Sequence, residues 1–507
     1  MLSEDIKHSY GDGSPQPSKQ AVQELLAQLD NSKLSRFHWK AMITSGMGFF
    51  TDAYDLFIIG VVTTLLIPLW HLNALEIALI NSVSLLSAAL GSYLFGLLAD
   101  RVGRHSIYGM TLIVLAVGAI LSAFSPNLII LLGFRFIMGL GIGGDYPLSA
   151  TLMSEYANRK DRGKLITMVF SMQGLGLIVG PLVAIVLLGS GVNQDLTWRL
   201  MLGLGAIPAL ATFYMRRKIA ETPRFALMMS GDLEGATQTT NQVTELPAAS
   251  KKGSYVQEKK QARGRAKKSR FSLLFTRRYI VWIAGTALSW FLLDIAYYGT
   301  TTANPLILNT LNPGGNTISH MVETLFIFVV AALPGYIVAA LTIDKLGRKA
   351  IQCMGFAMMA VSYGLLALVP ALTHIVGAFL TIYALGYFFT EFGPNVTTFV
   401  YPAEIFPVSV RSSAHGLAAS LGKFGAFLGA FAFPYLLTNV HLPGAMGFAA
   451  IVSVLGLIVT ILTLPEPNGR SLEEISGDLE LLNVEAERQV NTEPLVNQKS
   501  GKELANV

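Results

Sequence analysis

Residues 96–107 read GLLADRVGRHSI, and residues 339–351 read AALTIDKLGRKAI. Set side by side, they pair Asp100 with Asp344, Gly103 with Gly347 and Arg104 with Arg348. Each copy falls in the short loop after the second apolar run of its half. Two more pairs keep the same order. SEYANRKDRG puts Glu155 seven residues before Arg162, and AEIFPVSVRSS puts Glu404 seven residues before Arg411. AETPRF (220–225) follows the first set of apolar runs, and the looser match LPEPNGRSLEE (464–474) follows the second. Three motifs in one order, twice, mark a duplicated unit.

The apolar runs say what the unit is. The chain has 507 residues, 52% hydrophobic and 14% charged, against about 25% charged in a soluble domain. Twelve runs are each long enough to cross a hydrocarbon core about 30 Å thick. They cover 40–69, 75–99, 104–124, 127–155, 163–190, 196–216, 279–302, 319–344, 347–369, 373–400, 409–437 and 443–464. Runs this long are helices, because a closed barrel shows short alternating strands instead. The fold class is an all-α polytopic membrane protein of twelve transmembrane helices in two six-helix bundles. Six-span repeats around a midplane site are an architecture of secondary transporters.

The expected division is an N-terminal segment 1–39, a first bundle 40–216, a basic linker 217–278, a second bundle 279–464 and a tail 465–507. The linker has a large excess of Lys and Arg and no apolar periodicity, so it reads as mostly unstructured. The tail reads as solvated. The single cysteine, Cys353, excludes an intrachain disulfide and a cysteine-rich metal site. The polar start and long first run do not fit a cleaved signal. Loops near 101–105, 158–164, 216–278 and 345–349 carry many Lys and Arg, while the alternate loops carry almost none. That asymmetry puts both termini in the cytoplasm and the chain in a cell membrane, plasma or inner.

Seven ionisable residues lie well inside spans: Asp52, Asp55, Arg135, Asp145, Asp294, Glu391 and Lys423. Each costs roughly 2.5–3.5 kcal/mol at mid-bilayer on insertion scales. A buried ion pair joining helices is the plain explanation for any one of them. It fails for the set, because five acids face two bases. Carboxyls without a base in a low dielectric tend to hold a proton, and a chain of them suits proton movement. Trp290, Asp294 and Tyr298 recur every four residues in the seventh span and so share a helix face. Tyr383, Tyr387, Glu391 and Asn395 repeat the pattern in the tenth. Asp52 and Asp55 stand three apart on one face of the first.

The loop G-x-L-A-D-R-x-G-R resembles the signature of the major facilitator superfamily. The strings GMGFFTDAYDLFIIG (46–60) and GGDYPLSATLMSEYANRKDRG (143–163) closely resemble the phosphate:H+ symporters within it. That resemblance implies substrate roles for Tyr146, Gln173, Trp290, Asp294, Tyr298, Asn395 and Lys423. It implies a proton route through Asp52, Asp55 and Asp145, with Arg135 close by, and Asp294 coupling proton to substrate. It also implies a cytoplasmic gate of salt bridges among Asp100, Arg104, Glu155, Arg162, Asp344, Arg348, Glu404 and Arg411. The implied partners are inorganic phosphate, protons and the lipid bilayer, with no cofactor and no metal, in a monomer that is not an enzyme.

Other readings stay open on sequence alone. The fold could carry another anion, a phosphorylated metabolite or a sugar, since PRF and GRSLEE also resemble sugar porters. It could also serve as a nutrient receptor. No G-x-x-x-x-G-K-[ST] string is present, which argues against ATP-driven transport. No nucleic-acid module is evident.

Overall fold

The structure is a computed structural model and describes residues 19–245, 271–311, 314, 317–478 and 480. Among these, twelve helices are long and apolar enough to cross a membrane. Helix α1 (Lys19–Asp30) precedes the spans. The first half is α2 (Arg36–Trp70), α3 (Ala74–Val102), α4 (Arg104–Ala123), α5 (Leu128–Tyr156), α6 (Arg162–Gly189), then α7 (Gln194–Leu204) and α8 (Ala206–Arg216) as one interrupted span. A single turn, α9 (Pro223–Phe225), and α10 (Leu233–Thr244) follow.

The second half opens with α11 (Arg277–Thr302) and the short α12 (Asn304–Leu311). Its next span is α13 (Thr317–Ile327) and α14 (Leu333–Leu346), joined through a π-helical turn at Phe328–Ala332. Then come α15 (Arg348–Leu368), the pair α16 (Val376–Phe392) and α17 (Pro394–Ile405), α18 (Arg411–Asn439), α19 (His441–Thr463) and α20 (Leu472–Ser476). The expected spans match these to within a few residues. The tenth expected run is broken at Gly393, where Pro394 opens α17 and no helical N–H is available.

Local chemistry sets the helix ends. Asn73 accepts from the Glu76 amide at 3.0 Å, and the Glu76 side chain accepts from the Asn73 amide at 2.8 Å. Asn127 and Asn193 cap α5 and α7 in the same way. These caps satisfy N–H groups that a helix start leaves open. The duplicated loops use glycine for a different reason. Gly103 and Gly347 have φ of 110° and 89°, values that side-chain-bearing residues rarely adopt. They let α4 and α15 restart immediately.

Close helix approach depends on small residues. In α5, a Cβ on Gly139 would meet Ser87 and the Ser84 carbonyl, and one on Gly143 would meet the Ala88 carbonyl. Ser92 then donates to the Gly143 carbonyl at 2.8 Å. The halves meet where α3 crosses α18, and the spacing there is equally tight. A Cβ on Gly96 would lie 2.6 Å from the Ser412 carbonyl.

Two sequence expectations need correction. Within the linker, read as mostly unstructured, residues 217–245 include α9, a π-helical turn at Ala226–Ser230 and α10; Ala226 and Leu227 of the turn and Ala236 of α10 pack on Val22, Leu25 and Leu26 of α1. The tail is not solvated throughout, because Leu472, Glu473, Ile475, Ser476 and Asp478 are buried. Both segments fold because they bury short apolar faces, the linker on α1 and the tail on α11 and α17, and share the Arg224–Glu473 pair, which linear periodicity does not reveal. Residues 246–270 and 481–507 lie outside the described residues.

Glycines on α5 test the packing argument. Gly143→Ala should lower thermal stability by about 1–3 kcal/mol, the usual range for overpacking. Gly133, on the same helix, has nothing near a built Cβ, so Gly133→Ala should be neutral or slightly stabilising. Thermal unfolding of the purified protein reads both; equal effects would refute the close approach.

Candidate functional site

The glycine-lined contact with α3 sets where α5 presents its polar residues at the middle of the molecule. Tyr146 donates to Asp52 Oδ2 at 2.6 Å. Its oxygen accepts from Gln173 Nε2 at 3.3 Å. Gln173 Oε1 accepts from Tyr336 at 3.1 Å, and Tyr336 accepts from Asn395 Nδ2 at 2.9 Å. Asn395 also donates to Glu391 Oε2. This line runs from α2, α5 and α6 of one half into α14, α16 and α17 of the other.

Lys423 on α18 stands beside it. Its ammonium donates to Tyr298, lies 3.9 Å from Asp294 Oδ2 and sits 4.2 Å from the centre of the Tyr146 ring. Trp290 packs against Tyr146 with ring centres 5.9 Å apart. Trp290, Asp294 and Tyr298 are all buried, so the four-residue spacing in the seventh span does bring them to one wall. In the tenth span, Glu391 and Asn395 meet across the helix break. Tyr383 and Tyr387 lie further along, where Tyr387 bonds Thr301 at 2.7 Å. All seven residues assigned to substrate by the resemblance fall in this one region.

The carboxyls on α2 and α5 have separate surroundings. Asp55 takes a two-pronged pair from Arg135 at 3.1 and 2.9 Å, and Ser84 also bonds that guanidinium. Asp52 has no such pair. Both line a cavity of about 10 Å³ with Asn81 and Ser84, space for roughly one water. Asp145 points away from Tyr146 and pairs with Arg216 through both oxygens. Ser149 adds a bond at 3.2 Å, and the guanidinium lies 3.8 Å from the centre of the Tyr108 ring.

Arg216 changes the charge count. The sequence reading counted it as a loop residue, whereas it is fully buried at the end of α8. Asp145 is therefore not one of the acids without a base. Those are Asp52 and Glu391 among the described residues, with Asp294 near Lys423. Tyr336 is the other residue the reading missed. A lone tyrosine in an apolar run gives no signal, whereas Arg216, next to the apolar sixth span, was a visible candidate partner for Asp145.

At the basic end, two clusters mirror each other. Glu155 takes Arg104 from its own half and Arg411 from the other, both at 3.2 Å. Glu404 takes Arg348 from its own half at 2.7 Å and Arg162 from the other at 2.9 Å. Asp100 accepts from the amides of Ser412 and Ser413 at 3.2 and 2.7 Å. Asp344 accepts from Gly163 and Lys164 at 3.0 and 2.7 Å. Each aspartate thus sits at the N-terminus of a helix of the opposite half, where the helix dipole favours an anion. All eight residues named for the gate are engaged.

The looser repeat supports the clusters. Glu221 accepts from the His105 amide at 3.2 Å, and Glu466 accepts from the amides of Arg348 and Lys349 at 3.1 and 2.9 Å. Arg224 ties three separate segments together: Glu473 of α20 at 2.7 Å, Asp30 of α1 at 2.5 Å and the Glu155 carbonyl at 2.8 Å. Arg224 holds Glu473 below the usual carboxylate range despite burial, which pushes the other way. Asp478 accepts from the Val408 amide at 3.1 Å, and burial pushes it up to about 6 against the pull of Arg411.

The sequence profile of the sugar (and other) transporter family matches residues 31–479. The chain belongs to that family. Its curated relatives include probable inorganic phosphate transporter 1-8 of Oryza sativa subsp. japonica, 38% identical over 90% of this chain and 94% of that protein. Inorganic phosphate transporter 1-4 of Arabidopsis thaliana is 38% identical over 90% and 96%, and low affinity inorganic phosphate transporter 1 of Petunia hybrida is 37% identical over the same shares. Among solved structures, the proton:xylose symporter XylE superposes with a TM-score of 0.73 at 20% identity, over 88% of this chain and 99% of that one. XylE, a major facilitator superfamily protein, shares the fold; the family match and the phosphate transporter relatives make this chain a membrane transporter and not an enzyme.

Removing Arg216 leaves Asp145 as an uncompensated buried charge. Arg216→Leu should cost about 3–5 kcal/mol of stability, and Asp145→Asn in the same chain should restore much of it. Thermal unfolding of the single and double variants measures this; a double variant no better than Arg216→Leu would refute the pairing. The raised Asp478 makes a second prediction. An acid raised on docking stabilises the docked form below its free value near 3.8 and loses that contribution as pH rises through about 6. Hydrogen exchange at Ser476–Asp478 should therefore speed up between pH 5 and 7 beyond the intrinsic rate, and Asp478→Asn should abolish the excess.

Proposed function

We propose that this transporter imports inorganic phosphate together with protons by alternating access. The observation that carries the reading is one cation, Lys423, set among phenols, an indole and amides where the two halves meet. Phosphate near neutral pH carries one or two negative charges and offers both acceptor oxygens and donor protons. Neutral donors can wrap such an anion, and an ammonium supplies charge without imposing a planar fork. The names of the plant relatives support phosphate over other anions.

Coupling is assigned to Asp294. An ionised Asp294 would repel the anion and compete for Lys423, 3.9 Å away. A protonated one leaves Lys423 to the anion and can itself donate. Proton and phosphate then favour each other's binding, and that linkage is reciprocal. The membrane voltage opposes anion entry by about 2.3 kcal/mol per charge per 100 mV, so protons must carry more positive charge than phosphate carries negative. Asp52, Asp55 and Glu391 are the further carboxyls proposed for proton movement, with Arg135 holding Asp55. Asp145, being held by Arg216, is assigned an anchoring part in that route.

The basic end is proposed to face the cytoplasm with both termini, the protein acting as a monomer in a cell membrane. Its two clusters serve as the cytoplasmic gate: they bind the halves in this state and must part for phosphate to leave inward. The chain divides on this reading into two bundles, with the basic linker and the tail at the gate. Selectivity is tested in proteoliposomes under an imposed pH gradient with phosphate, sulfate, glycerol phosphate and glucose.

Asp294→Asn should abolish accumulation of phosphate against its gradient; uphill uptake at the native rate would remove Asp294 from coupling. Lys423→Ala should weaken phosphate binding in counterflow by about tenfold or more, since a hydrogen bond to a charged group contributes roughly 1.5–3 kcal/mol. Unchanged counterflow affinity would exclude Lys423 from the substrate site.

A further inference from the structure

We propose that Glu391 is a second proton-binding group of the central site, and that it acts on the anion by competing for the amide of Asn395. The inference rests on the reading of this site as one for an anion and protons.

Glu391 is fully buried at the end of α16. Its Oε2 accepts from Asn395 Nδ2, and its Oε1 has no hydrogen-bond partner. The titratable groups around it are Asp294, Tyr297 and Tyr298 of α11, Tyr336 of α14, Tyr363 of α15 and Tyr387 of its own helix. Among the described residues, none of the ion pairs involves Glu391. Asp55 and Asp145, by contrast, are each paired with an arginine.

The hydrogen bonds show what its charge does. An amide NH2 has two protons. Asn395 spends one on Glu391 and the other on Tyr336, at 2.9 Å. Tyr336 has a single proton and gives it to Gln173 Oε1 at 3.1 Å. The Gln173 NH2 turns to Tyr146, whose proton goes to Asp52 at 2.6 Å. Apart from the second N–H of Gln173, the donors in the line are committed, and the two ends are carboxyls. An anion entering here needs those same donors. When Glu391 is ionised, it holds an Asn395 N–H that the anion would use. When a proton adds at the unpartnered Oε1, Oε2 becomes the weaker, uncharged acceptor of a carboxylic acid, and the anion competes successfully for the N–H. Protonation of Glu391 thus raises anion affinity, and bound anion raises proton affinity by the same factor. Tyr336 is a positioning residue in this scheme: by donating to Gln173 it fixes which end of that amide faces Tyr146.

Titration calorimetry of the purified full-length protein with phosphate, from pH 6 to 8 in buffers of different ionisation enthalpy, reads affinity and protons taken up together. For the wild type, affinity should fall as pH rises. Glu391→Gln, which mimics the acid, should take up fewer protons per phosphate, by as much as one, and lose affinity less steeply, by up to about tenfold per pH unit for one linked proton. Wild-type slope and uptake in Glu391→Gln would overturn the proposal. In an Asn395→Ala background, Glu391→Gln should change proton uptake no further; a persisting decrease would show that Glu391 acts on the anion without Asn395, and would overturn the competition. If the wild type binds sulfate or glycerol phosphate but not phosphate, the phosphate reading fails while the same comparison on that anion still decides Glu391. Binding of none of them overturns both.

Discussion

Glu155 and Glu404 each hold two arginines, one from their own half of the molecule and one from the other. Buried charge of this kind is costly on its own and tolerable only as a complete set. That constraint organises the basic end. The arginines need carboxylates, and the aspartates of the duplicated loop need helix N-termini. Arg104 and Arg348 find carboxylates in their own halves, whereas Arg162, Arg411 and the two aspartates are satisfied across the contact between the halves. The restart of α4 and α15 at positive-φ glycines places Arg104 and Arg348 next to those partners. Glu221, Glu466 and the Arg224 hub extend the set to the segments that flank the membrane domain. One end of the transporter is thus closed by charges that have no good alternative partners.

The centre obeys the same rule in another way. Arg135 pairs with Asp55 and Arg216 with Asp145 through two hydrogen bonds each. Asp52, Asp294 and Glu391 lack an arginine. They are bonded to phenols and amides, or lie near a lysine, and these partners suit an acid that gains and loses a proton. The polar line that joins Asp52 to Glu391 crosses from one half to the other. In the proposed cycle, protonation at its ends and an anion at its middle draw on the same donors. This ties occupancy of the site to the contact between the halves.

Much of this was legible in the residues. The repeat of Asp100–Arg104 as Asp344–Arg348 and the four-residue spacing in the seventh span survive into the structure, and the duplicated Glu155/Arg162 and Glu404/Arg411 motifs do so with their arginines exchanged between the halves. Each is local, or duplicated, so its meaning is carried by order along the chain. Arg216 was visible as a charge at the end of an apolar span, but its partner lies 71 residues away and true loop charges stand beside it, so the pairing was not legible. Tyr336 was hidden because tyrosine is unremarkable in a membrane helix until something bonds its hydroxyl. The folded parts of the linker and tail were missed because their apolar faces are short and pack on distant segments, Ala236 on Val22 and Leu26 of α1 and Ile475 among Tyr279 and Tyr401.

Sequence by itself determined the number of spans, their duplication and the inventory of charges in the membrane, because hydrocarbon thickness and the cost of buried charge act on composition directly. Only the tertiary structure decided which charge faces which. Asp145 and Tyr146 are neighbours in the chain, yet one is held by Arg216 while the other opens the polar line to Glu391. Pairing depends on distances between helices, and those distances are set by glycine contacts such as Gly143 against Ala88, which no linear pattern of charges records.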